Sequence, residues 1–75
     1  MASSLPILSG REVRSAFERA GWTFVRQRGS HMILTKAGEI ASLSIPDHRE
    51  VARGTLRSLI RAAGMTIEEF NELLQ

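Results

Sequence analysis

The sequence predicts an α+β fold: a helix, three short antiparallel strands, and further helices that back one face of the sheet. Three observations point there. Two capping boxes open segments of helical period, one near each end of the chain. Between them, three short extended runs are separated by glycine turns. The chain has 75 residues and 8.3 kDa, room for one small domain, 1–75, that buries about 60% of its unfolded surface.

Ser9-Gly10-Arg11-Glu12 has the S-x-x-E spacing, in which the serine hydroxyl caps the third helical amide and the glutamate reaches back. Val13, Ala16, Phe17 and Ala20 recur at i, i+3, i+4 and i+7, and Gly21 stops the helix after about 11 residues. Trp22 to Gln27, rich in aromatic and β-branched residues, is the first strand, broken by Arg28-Gly29-Ser30. His31 to Thr35 is the second strand, Lys36-Ala37-Gly38-Glu39 a turn, and Ile40 to Ile45 the third strand. Runs this close together form two consecutive hairpins.

In the third strand Ala41, Leu43 and Ile45 alternate with Ser42 and Ser44, which places the serines on an open face. With Met32 and Leu34 inward, His31, Ile33 and Thr35 share that face, although Ile33 would also suit a core. Pro46 ends the sheet, and Asp47 to Arg53 is a polar, charged connection. Leu56, Leu59, Ile60 and Ala63 resume the helical period before Gly64, and Thr55 is read as the capping residue at that helix start. Thr66-Ile67-Glu68-Glu69 is the second capping box, opening a short last helix with Phe70, Leu73 and Leu74 as its stripe. Leu5, Ile7 and Leu8 are expected to pack beside the first helix.

Composition removes several classes of function. There are no cysteines, hence no disulfides, thiol nucleophiles or common structural zinc sites. The apolar runs are too short for a transmembrane helix. Met1 to Pro6 lacks the basic start and apolar stretch of a signal peptide, so the expected compartment is the cytoplasm. Nine of the ten basic residues are arginine, and three of the eight acids sit in the last eight positions. Up to residue 67 there are ten basic and five acidic groups. The arginine fork suits phosphate, which leaves RNA, DNA and an acidic protein as partner classes.

The chemical inventory is short. His31 and His48 are the only histidines, and histidine is the side chain best suited to proton transfer. RNA carries its own nucleophile in the 2′-hydroxyl. Its cleavage therefore asks a protein for a proton carrier, cations on the phosphate and in-line alignment. His31 is the candidate proton carrier, with Arg26, Arg28, Ser30, Lys36 and Arg49 as candidate substrate contacts near the same turns. The competing reading of His31 is a solvated surface histidine, and His48, in a polar loop, receives no assignment. No metal or cofactor is expected, because His31, His48 and Asp47 lack both tight ligand spacing and cysteines. Ser30 has no G-x-S-x-G context and is not expected to be a nucleophile.

Several segments together resemble the HicA toxin family. They are Ser9-Gly10-Arg11-Glu12-Val13, Gly21-Trp22, Val25-Arg26-Gln27-Arg28-Gly29-Ser30-His31, Ile45-Pro46-Asp47-His48 and Arg53-Gly54-Thr55-Leu56-Arg57-Ser58-Leu59-Ile60. The resemblance runs from about Ser9 to Leu74. It implies a double-stranded-RNA-binding-domain-like α-β-β-β-α fold and a small ribonuclease that cleaves messenger RNA. It also implies a HicB-type antitoxin that masks the active site, with a monomeric toxin inside a toxin–antitoxin hetero-oligomer. The family's catalytic histidine, in the Gly-Ser-His motif, maps to His31. The Pro-x-His element varies among relatives, so no role is carried over to His48.

The expected mechanism is metal-independent transesterification, with His31 moving a proton while Arg28 and neighbouring cations hold the phosphate. One positioned acid or base contributes only about 10²–10⁴-fold, so such an enzyme should be slow. The alternative is a non-catalytic module that binds RNA through shape and phosphates, or docks a protein.

Overall fold

Ser9 opens the first helix by the reciprocal exchange its spacing anticipates. Its hydroxyl accepts from the Glu12 amide at 3.1 Å, and the Glu12 carboxylate accepts from the Ser9 amide at 2.8 Å. The helix that follows, α1, spans Gly10–Arg19. Gly21, at φ 99°, turns the chain out of it. In the computed structural model, which describes residues 4–74, the order continues with β1 (Thr23–Arg28), β2 (His31–Thr35), β3 (Leu43–Pro46), α2 (Arg53–Ala62) and α3 (Ile67–Glu72). Met1, Ala2 and Ser3 of the N-terminal segment, and Gln75, lie outside the described residues. Thr66 and Glu69 repeat the capping exchange at α3, at 3.1 and 2.8 Å.

The strands form one antiparallel sheet in the order β1-β2-β3. Helices cover one face, and the architecture is the expected double-stranded-RNA-binding-domain-like α+β fold. The covered face supplies Met32, Leu34, Leu43 and Ile45, which meet Val13 and Phe17 of α1, Leu56 and Ile60 of α2, and Phe70 of α3. Phe17 and Phe70, both fully buried, stack at a tilt with ring centroids 5.1 Å apart. Phe24 completes the edge of this layer, with the Arg14 guanidinium 3.9 Å above its ring. No helix among the described residues is long and apolar enough to cross a membrane.

The structure corrects the expected boundaries where long-range packing intervenes. The third strand begins at Leu43, not Ile40. The turn at Lys36–Glu39 forms, with the Glu39 amide donating to the Lys36 carbonyl at 3.0 Å. The chain then stays outside the ladder until Leu43 pairs with Leu34. Ile40 and Ala41 are therefore exposed, and Ala41 does not join the inward set. Trp22 precedes β1 rather than opening it, and is buried in the core. The connection after Pro46 is not wholly polar, because Val51 is buried and its amide donates to the Leu8 carbonyl at 2.8 Å. Leu5 and Leu8 belong to the core, whereas Ile7 is 63% exposed.

Helix α2 starts two residues before Thr55. Its N-cap is Ala52, which has no side chain able to cap, and Thr55 is already the third helical residue. The Thr55 hydroxyl therefore does not hold the helix start. Packing of Leu56, Leu59 and Ile60 does so instead.

Candidate functional site

His31 is placed by a tight hairpin. Arg28 pairs directly with His31 across a two-residue loop, Gly29-Ser30. Gly29 has φ 59° and no non-glycine residue among the described residues has positive φ, the pattern of a type II′ turn, whose twist matches that of the flanking strands. The β1–β2 register shifts between Phe24 and Arg26, so Val25 forms a bulge. Strand alternation then settles the faces. Met32 and Leu34 are in the core, so His31, Ile33 and Thr35 point to the open side.

Two cross-strand rows result on that open face. The outer row is Arg28, His31 and Pro46; the next is Arg26, Ile33 and Ser44. Directly opposed residues in such a ladder have Cβ atoms about 4.5–5.5 Å apart. The Arg28 guanidinium is thus within reach of any phosphate that touches the His31 imidazole. Ile33 is only 7% exposed although it lies on the open face, outside the core cluster. Its central position, between Arg26 and Ser44, accounts for the cover.

The end of β3 is locked to this turn. The Asp47 amide donates to the Ser30 carbonyl at 2.7 Å, and the Gly10 amide donates to the His48 carbonyl at 2.8 Å. Arg11 adds an ion pair to Asp47 at 3.4 Å, which is largely solvated and worth little. The turn bearing His31, the exit of β3 and the start of α1 are therefore tied together through their backbones. His31, Arg26, Arg28, Ser30 and Arg49 are all exposed, and no side-chain hydrogen bond or ion pair engages them among the described residues. A free imidazole and free guanidinia on a solvent-facing surface are available to a ligand.

The expected contacts do not all gather at His31. Arg28 and Arg26 occupy its own and the adjoining row, Ser30 precedes it in the turn, and Arg49 lies in the connection leaving Pro46. Lys36 does not join them. It follows the far end of β2, five residues on, or about 16 Å along the strand. Its stem packs over Gly21, with Cε 3.3 Å from where a Cβ would stand. Among the described residues no three His, Cys, Asp or Glu side chains come together as a metal site.

Pro46 was not anticipated as part of the site. It borders His31 on the side opposite Arg28 and places an apolar ring, without an amide donor, in the same row. The signal was the hairpin arithmetic, which needs the true start of β3. The aromatic residues contribute nothing to this face. Phe17, Trp22 and Phe70 are buried in the core and Phe24 packs against its edge.

No curated protein matches the chain. Residues 10–65 match the family model described as HicA toxin of bacterial toxin-antitoxin, a span holding α1, the whole sheet, the His31 turn and α2. The chain belongs to the HicA toxin family.

Proposed function

We propose that this chain is a metal-independent ribonuclease that cleaves messenger RNA with His31 as the proton-transfer group. The observation that supports it is the row on the open face, an unengaged imidazole with the Arg28 guanidinium directly across the ladder. In this reading His31 takes the proton from the ribose 2′-hydroxyl. The oxygen attacks phosphorus, the bond from phosphorus to the 5′-oxygen breaks, and the products are a 2′,3′-cyclic phosphate and a 5′-hydroxyl end. Solvent, which reaches this face freely, delivers the proton to the leaving oxygen. Arg28 and Arg26 bind the phosphate and answer the charge that develops on it.

The same exposure suits inhibition. A HicB-type antitoxin covering this face would remove both the imidazole and its cations from RNA, so that antitoxin and substrate compete. The toxin acts as a single domain over 1–75, in the cytoplasm, and joins the antitoxin in a hetero-oligomer. Among the described residues the open face carries no aromatic ring for stacking bases; its exposed groups include Arg26, Arg28, His31, Thr35 and Ser44. Recognition therefore runs through phosphates, which favours broad sequence tolerance.

The test is a time course on labelled single-stranded RNA in EDTA, with antitoxin-free protein beside His31→Ala. Cleavage by the native chain alone, leaving cyclic phosphate ends, is the expected outcome. Binding without cutting by both proteins would replace this reading with a non-catalytic RNA-binding module. Equal cutting by both would remove His31 from the mechanism.

A further inference from the structure

The flank of α2 carries a second concentration of charge, away from the open face. Arg53, Arg57 and Arg61 stand at i, i+4 and i+8, all exposed, beside the buried stripe of Leu56, Leu59 and Ile60. Successive members rise by about 6 Å, and the set covers about 12 Å of the helix axis. None of the three guanidinia has an ion pair or hydrogen bond among the described residues. The helix contains no acid to answer them.

This arrangement works against the helix that carries it. Like charges at i, i+4 repel one another. The start of α2 also lacks a capping side chain and an acidic first turn, where α1 and α3 have both. A stretch that breaks the rules its neighbours follow is where a ligand is expected to restore the balance. A linear, evenly spaced row of cations matches a linear polyanion. The exposed part of α2 is otherwise Gly54, Thr55, Ser58 and Ala62, with no large apolar side chain to anchor a protein. In sequence, Arg49 lies between Pro46, which pairs with His31 across the ladder, and Arg53 at the start of α2.

We infer that Arg53, Arg57 and Arg61 form a phosphate track that holds the RNA strand along α2 while its scissile step lies against His31. The inference rests on the ribonuclease reading and extends it from the cutting point to the grip on the substrate. The track accommodates about three or four phosphates of a stacked strand, at about 3.4 Å per phosphate.

The test measures RNA affinity against salt, using His31→Ala so that the RNA stays intact. The comparison protein adds Arg53→Gln, Arg57→Gln and Arg61→Gln, since glutamine keeps the helix propensity of arginine. Circular dichroism melting verifies that its fold is kept. On single strands each phosphate contact contributes about −0.7 to the slope of log affinity against log salt. Loss of three contacts should make the slope shallower by about 2 and weaken binding roughly 50-fold near 0.15 M salt. An unchanged slope overturns the track, even if affinity falls, because phosphate contacts cannot be lost without their counterion signature. Unchanged RNA binding with lost affinity for poly-glutamate would mark the ladder as a protein-docking surface and also overturn it. If the His31→Ala protein binds no RNA at all, the ribonuclease reading fails and the track fails with it. A lost track with cleavage by the native chain intact leaves that reading standing.

Discussion

Replacing Gly10 by alanine adds a methyl group at the most closely approached of the six glycines. A Cβ there would overlap the Pro46 carbonyl oxygen and stand 3.0 Å from its carbon and 3.1 Å from the Asp47 Cα. The obstacle is backbone, and that backbone is tied on both sides. Asp47 donates to Ser30, and His48 accepts from Gly10 itself. Relief requires α1 or the exit of β3 to shift, at about 1–3 kcal/mol for overpacking and about 0.5–1.5 kcal/mol for a weakened hydrogen bond. Alanine recovers about 0.5–1 kcal/mol over glycine in a helix, leaving a net loss of about 0.5–4 kcal/mol. For a domain of this size each kcal/mol lowers Tm by about 4–8 °C, so thermal melting by circular dichroism should show a fall of about 2 °C or more. Gly54→Ala is the matched control. Gly54 is also helical but has nothing within 4 Å, and alanine there should stabilise by about 0.5–1 kcal/mol. Because Ser30 is tied to Asp47, Gly10→Ala should also slow RNA cleavage at temperatures where it remains folded. A Gly10→Ala protein that melts at or above the native temperature would refute the close approach and the coupling derived from it.

Three further outcomes follow from the same geometry. Gly29→Ala meets no atom within 4 Å but must hold φ near 59°, so it should cost about 1–2 kcal/mol through backbone strain alone. Asparagine at that position should recover part of the loss in a urea melt. Phe17→Ala removes a fully buried ring from its partner Phe70, at about 3–5 kcal/mol. Against the roughly 4–11 kcal/mol expected of 75 residues, that is about a quarter of the total or more, so urea denaturation should show a sharply lowered midpoint. Arg28→Gln should reduce the salt slope of RNA binding by about 0.7, whereas Lys36→Gln, at the far end of β2, should leave it unchanged. Equal effects from the two would show that RNA does not centre on the His31 row.

What could be read along the chain was local in origin. Both capping boxes close within three residues, and both form as the spacing requires. The Gly29-Ser30 turn and the period-two alternation of β2 likewise depend on neighbours in sequence. With Met32 and Leu34 taken inward they place His31 and Ile33 on the open face, and the packing of Met32 and Leu34 in the core supplies that condition. The family resemblance rested on such local motifs, and the family match covers the same elements.

Tertiary structure decided what no local rule could. The start of β3 depends on where β2 offers a partner, so Ile40 and Ala41 stay outside the sheet despite an alternating pattern. Val51 and Leu8 find each other across more than half the chain, through a backbone bond that composition does not announce. Helix α2 begins at Arg53 without a cap because packing holds it, and the early start brings Arg53 into line with Arg57 and Arg61. The same distinction holds at the site. Sequence proximity put Lys36 beside His31 and said nothing of Pro46, whereas the ladder sends Lys36 to the far end and sets Pro46 next to the imidazole. A strand converts five residues into about 16 Å of separation, and a sheet converts fifteen residues of chain into adjacency. That conversion is made by the register between strands, and only the folded chain contains it.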